Sequence, residues 1–244
     1  MSRIPKATRS SETINSLDLP FTTPVAPSTP NPGIPIHATM PEPPVALEPT
    51  AFSSLLMSAI EVHSRESLGF LLGGRAKHFI DGRMVECLSV GSAYPLQSAD
   101  RRRTNVGFGS LTARRRAEMT VRAVGFDLVG GFHSHTDGSD HLSEEDEEAI
   151  LGDLDEFYSG HGMREWLEVV VGVKRIKRPR AATKLAKLFK LGKVPEPGFY
   201  PWNVQPQVVG DLVADTDLIY RVRMAGYLLT VEDVREVRLC YSRY

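Results

Sequence analysis

The segment from Phe126 to Glu148, FDLVGGFHSHTDGSDHLSEEDEE, constrains this chain more than any other. Its first part is apolar and ends in two histidines, the pattern of a buried strand whose last residues run into a polar site. Its last part continues as SEEDEEAILGDLDEFYSG, a helix with an acidic first turn, as the helix dipole favours. A strand and a helix joined by a short polar loop belong to an α/β architecture, and the flanking segments agree with it.

The stretch AFSSLLMSAIEVHSR from Ala51 places Phe52, Leu55, Leu56 and Ile60 on one face of a helix. SLGFLLGG reads as a short buried strand and MVECLSVGSAYPL as a second one. Residues 96–110 read as a loop centred on Arg101, Arg102 and Arg103, followed by a helix over LTARRRAEMTVRAV. WLEVVVGVKRI is a strand rich in β-branched residues. LIYRVRMAGYLLT and VREVRLCYS close the chain as two strands expected to pair. Alternating helices and strands predict a single α/β domain over residues 49–244, with a mixed sheet flanked by helices. Residues 1–48 differ: eleven of the 17 prolines fall in the first 49 residues, mixed with Ser and Thr. Such a segment buries too little apolar surface to offset its ordering entropy, so a disordered tail is expected. Residues 174–193 carry nine basic residues and no acidic ones, which predicts a solvated basic insertion or linker near 174–200.

His133 and His135 lie two apart on the expected strand, so both imidazoles point to one face. Asp146, eleven residues after His135, stands at the start of the helix. Two His and one carboxylate leave a fourth position for water, which is a catalytic rather than a closed structural zinc arrangement. Ser143-x-x-Asp146 also has the form of a capping box with Ser143 as N-cap. Ser143 can cap the helix and still present its hydroxyl to a substrate oxygen. Asp146 is expected to face the metal instead of the N-cap amide. Asp137, Asp140 and His141 read as loop residues, and Glu61 and Glu86 are weaker acidic candidates.

His133-x-His135, seven residues, Ser143, two residues and Asp146 resemble the signature of the JAMM zinc metalloproteases, also called MPN+ or JAB. Glu66-Ser67-Leu68-Gly69-Phe70-Leu71-Leu72-Gly73 is similar to the context of that family's upstream glutamate. The resemblance implies a JAB/MPN-like, cytidine-deaminase-like fold and one Zn2+ held by His133, His135 and Asp146. It implies Glu66 as general base and Ser143 as donor to the oxyanion. The implied activity is hydrolysis of the amide bond after the C-terminal glycine tail of a ubiquitin-like protein, with conjugation-pathway enzymes as further partners. Release of adducts from a sulfur-carrier protein and a non-catalytic scaffold are the alternatives. Two positions depart from the pattern: Gly131 stands where a bulky aromatic is usual, and Thr136 where proline is usual.

The formal net charge of -1 and the absence of a recognised motif argue against nucleic acid as a partner. Cys87 and Cys240 form no paired motif, which argues against a disulfide framework or a cysteine zinc site. No segment has the length and composition of a signal peptide or a membrane span, so a cytoplasmic protein is expected.

Overall fold

The computed structural model describes residues 43–97, 99–101, 106–154, 163–176, 197–203, 206–215 and 218–241, all within the compact unit Met40–Tyr244. In chain order the elements are β1 (Val45–Leu47), α1 (Pro49–Glu61), β2 (Leu68–Ile80), β3 (Arg83–Pro95), β4 (Ala99–Arg101), β5 (Val106–Phe108) and α2 (Leu111–Ala123). They continue with β6 (Leu128–His135), α3 (Glu144–Asp153), β7 (Trp166–Ile176), β8 (Gly198–Asn203), β9 (Val208–Asp215), β10 (Leu218–Leu229), β11 (Val234–Val237) and β12 (Leu239–Tyr241). No helix among the described residues is long and apolar enough to cross a membrane.

The architecture is mixed α/β, as the alternation of patterns predicts, but richer in strand. One sheet runs β12-β1-β3-β2-β6-β7-β10-β9-β8, with β11 on β10. The pairs β1–β12, β1–β3 and β6–β7 are parallel, and the remaining pairs of this sheet are antiparallel. The sheet curls for a simple reason. Val237 pairs with Gly226 on β10, and Leu239 pairs with Val45 on β1. Only Arg238 separates those two partners, so β10 and the far end of the sheet must approach each other. Leu239 accordingly lies against Gly226.

Alternation along the strands sends side chains to two cores. Phe52, Leu55, Leu56 and Ala59 of α1 pack with Leu71, Val90, Phe132, Val169 and Val171 on one face. On the other face Phe70, Leu72, Leu128 and Trp166 pack with Val121 of α2 and with Leu154 at the end of α3. The helix expected from Ala51 starts earlier, with Pro49 in its first turn, where a missing N–H costs nothing.

Four expectations change. The tail boundary at residue 48 is too late, because Val45, Ala46 and Leu47 are buried between β3 and β12. That pairing joins residues far apart in sequence, which local composition does not register. The expected loop at 96–110 contains the hairpin β4–β5. The short strand SLGFLLGG extends to Ile80, since its second half pairs with β3 although its side chains are half-exposed. The final strands do pair, but VREVRLCYS splits into β11 on β10 and β12 on β1, and β8 and β9 add an edge that the sequence pattern did not predict. Residues 1–42 of the Pro-rich tail and 177–196 of the basic stretch lie outside the described residues. Cys87 and Cys240 are both free thiols.

Leu47 is 1% exposed in the core under α1, whereas Met57 on the same helix layer is 71% exposed. Leu47→Ala is expected to destabilise the protein by about 2–5 kcal/mol through transfer and cavity terms. Met57→Ala should stay within about 0.5 kcal/mol. Urea unfolding of the two variants checks the inclusion of β1 in the folded unit.

Candidate metal and catalytic site

The site forms at the C-terminal end of β6, on the sheet face covered by α2 and α3. β6 is flanked by antiparallel β2, with Leu68 opposite His133, and by parallel β7, with Gly131 opposite Glu168. Beyond the last ladder pair, Ser67 and Ser134 extend the contact between β2 and β6. The Ser67 N–H and hydroxyl both donate to Ser134 Oγ, at 2.8 and 2.9 Å, and Ser134 N–H donates to Ser67 O at 2.9 Å. Both serines are buried. Their pairing brings Glu66 alongside His135, on the same face as both imidazoles.

The loop after β6 turns back on itself at Gly138, whose φ of +87° suits glycine, while Ser139 N–H donates to Asp137 Oδ1 at 2.7 Å. Gly138 and Ser139 rest on Gly172 of β7, where a Cβ would meet backbone at 2.4–2.6 Å. Tyr227 of β10 donates its hydroxyl to Asp140 O at 3.1 Å. The loop is thus tied to two strands. α3 then begins at Ser143, whose Oγ accepts from Asp146 N–H at 3.1 Å. The other end of α3 is held by Arg114 of α2, buried, which donates to Asp153 Oδ2 at 2.6 Å and to Glu118 Oε1 at 2.8 Å.

The sequence-predicted ligands come together. His133 Nε2 lies 3.2 Å from His135 Nε2 and 3.5 Å from Asp146 Oδ2, and His135 Nε2 lies 3.7 Å from that same oxygen. His133, His135 and Asp146 are a group that can hold a metal ion. Asp146 does not choose between metal and cap, contrary to expectation. Its Oδ2 faces both imidazoles and also accepts from Ser143 N–H at 3.2 Å and from Ser143 Oγ at 2.5 Å. One carboxylate oxygen at the first turn of a helix can serve both because the cap and the strand end meet there. Glu61 ends α1, and Glu86 is on β3 opposite Lys77, so neither enters this group. Asp140 is in the loop as expected, and it is buried.

The charges are strongly coupled. Burial works against a charged His133, but the carboxylates of Asp146 and Glu168 beside the ring outweigh it and push the imidazole up to about 10. Burial would also raise Asp146, yet the facing imidazoles of His133 and His135 hold its carboxyl well below the usual range. Glu66, 8% exposed, has its carboxyl raised by burial, and His135 and His133 draw it only part of the way back.

Sequence reasoning missed Trp166 and Glu168. Glu168 Oε1 lies 2.7 Å from His133 Nδ1, and Glu168 Oε2 accepts from Trp166 Nε1 at 2.8 Å. The available signal was a single carboxylate inside the otherwise apolar run WLEVVVGV. A cavity of about 210 Å3 adjoins this cluster, lined by Leu68, Phe70, Ala149, Ile150 and Trp166, with His133 and Asp146 on its wall.

Arg114 spans two carboxylates with its planar fork. Arg114→Lys cannot reproduce that geometry. It is expected to lower stability by about 1.5–3 kcal/mol, the range for hydrogen bonds to charged groups, as read by urea unfolding.

No family model and no curated protein matches the chain. Among solved structures, the solution structure of a protein from Desulfitobacterium hafniense, a structural-genomics target, aligns at 15% identity and a TM-score of 0.46, covering 82% of this chain and 94% of that one.

Proposed function

We propose that the chain is a zinc-dependent peptidase or isopeptidase of the JAMM type, acting on the amide bond after the glycine tail of a ubiquitin-like protein. The observation that carries the reading is the convergence of His133, His135 and Asp146 on one point, with the buried carboxyl of Glu66 beside them. Two imidazoles and a carboxylate suit zinc better than calcium or magnesium, which take oxygen donors. Donors about 2.0–2.1 Å from a tetrahedral zinc stand about 3.3–3.4 Å apart. The three observed separations, 3.2, 3.5 and 3.7 Å, bracket that spacing.

Zinc bound there would supply a water acidified to a pKa near 7 and a Lewis acid for the scissile carbonyl. The residues of the chain do the remaining work. Glu66 accepts the proton of the attacking water and returns it to the leaving amine. Desolvation raises the Glu66 carboxyl and so increases its basicity, which suits both transfers. The Ser143 hydroxyl donates to the developing oxyanion. Its hydrogen is directed at Asp146 Oδ2 in the present arrangement, so it must turn toward substrate. The β4–β5 hairpin offers backbone for an extended tail to pair with, in the manner of strand addition. Gly107 of that hairpin also contributes to the wall of the cavity beside His133.

Glu66→Gln should retain zinc and lose hydrolysis of glycine-tailed ubiquitin-like fusions by about 10²–10⁴-fold. Ser143→Ala should retain zinc and lower kcat by about 10²–10³-fold, as for removal of one oxyanion donor. His133→Ala and Asp146→Ala should lose the metal itself, measured as zinc per chain by atomic absorption. Wild-type protein that holds no zinc after purification without chelators, and takes none on reconstitution, would sink the proposal.

A further inference from the structure

We propose that Glu168 is the positioning residue that sets His133 for metal binding, and that glycine at 131 is what admits it to the site. The inference rests on the metal-centre reading above and concerns residues outside the motif.

A metal-binding imidazole must present one nitrogen as a lone pair, and the partner of the other nitrogen decides which. His133 meets this requirement from a specific direction. Its Nδ1 is 2.7 Å from Glu168 Oε1, so Nδ1 carries the hydrogen and donates it. Nε2 is left for the ion, and Nε2 is the atom facing His135 and Asp146. The second oxygen of Glu168 is engaged as well, accepting from the indole N–H of Trp166. Both residues are buried, Glu168 at 2% and Trp166 at 6% exposure. A buried carboxyl group needs its oxygens hydrogen-bonded, and it holds its partners in fixed directions in return.

The parallel register of β6 and β7 makes room for this arrangement in one way. Gly131 stands opposite Glu168. A Cβ at 131 would meet Glu168 Oε2 at 2.8 Å and Trp166 Cζ2 at 2.8 Å, closer than real Cβ contacts come. Any side chain there displaces the carboxylate, the indole, or both. Gly131 therefore couples to His133 without touching a metal, and the Trp166 ring of β7 occupies the space a side chain at 131 would need.

The test is zinc affinity of the full chain, measured by competition with a chromophoric chelator, together with thermal unfolding of the metal-free form. Loss of a hydrogen-bonding partner behind a metal-bound histidine typically costs about 10–100-fold in affinity. Glu168→Ala should weaken zinc binding by that factor. Glu168→Gln, whose amide oxygen can still accept from Nδ1–H, should recover most of the loss. Gly131→Ala should weaken zinc binding although every ligand is intact. In zinc-loaded wild type the His133 Nδ1–H should be a slowly exchanging proton resonance, and it should exchange rapidly in Glu168→Ala, a change that a purely packing role would not produce. If Glu168→Ala fails to fold, Gly131→Ala decides. Zinc bound by wild type and equally well, within twofold, by Gly131→Ala and by Glu168→Ala where it folds overturns this inference alone. A wild type that takes no zinc overturns the metal-centre reading, and this inference with it.

Discussion

Strand β6 is gripped from both sides, and each grip contributes a part of the site. Antiparallel β2, extended by the Ser67–Ser134 hydrogen bonds, carries Glu66 up to the histidines. Parallel β7 carries Glu168 and Trp166 behind His133. A slip of one residue in either ladder would turn the paired side chains to the other face of the sheet. The burial of Phe132 in the core under α1 opposes such a slip, because a shifted β6 would exchange its phenyl ring with the imidazoles. The register is thus fixed by apolar packing on one face and used for polar chemistry on the other.

The helix that supplies Asp146 is placed by interactions at both of its ends. At its start, Ser143 and Asp146 close a reciprocal cap. At its end, Asp153 is drawn to the buried Arg114 of α2. Between them α3 lays Ala149 and Ile150 along the cavity beside the site. Asp146 gains its direction from the cap, so the group that satisfies the helix terminus also aims the carboxylate at the imidazoles. This economy explains why a capping box and a ligand motif share the same four residues. The two roles are compatible because a carboxylate oxygen can accept from more than one donor at once.

Asp146 and Glu168 approach His133 from opposite sides of its ring, one at Nε2 and one at Nδ1. Two carboxylates on one buried imidazole would leave the cluster negative if the ring were neutral and no cation were present. A raised His133 offsets part of that negative charge. A divalent ion would meet the same imbalance more fully.

The group of His133, His135 and Asp146 was legible because it is local. His133 and His135 are two apart on one strand, and Asp146 follows within the next element, so strand and helix periodicity suffice to bring them near one another. The core face of α1 and most strands were legible for the same reason, through periods of 3.6 and 2. The structure decided what depends on pairing between distant segments. Val45–Leu47 becomes a strand only because β3 and β12 lie on either side of it, and β8 and β9 exist as an edge built onto β10. Glu168 lies 35 residues from His133, and its meaning appears only when β6 and β7 pair with Gly131 opposite it. The sequence by itself determined which side chains can share a metal, since that follows from periodicity along one stretch of chain. Tertiary structure alone decided how those side chains are oriented and what charge surrounds them, since hydrogen bonds and burial at the site come from strands that the local pattern does not connect.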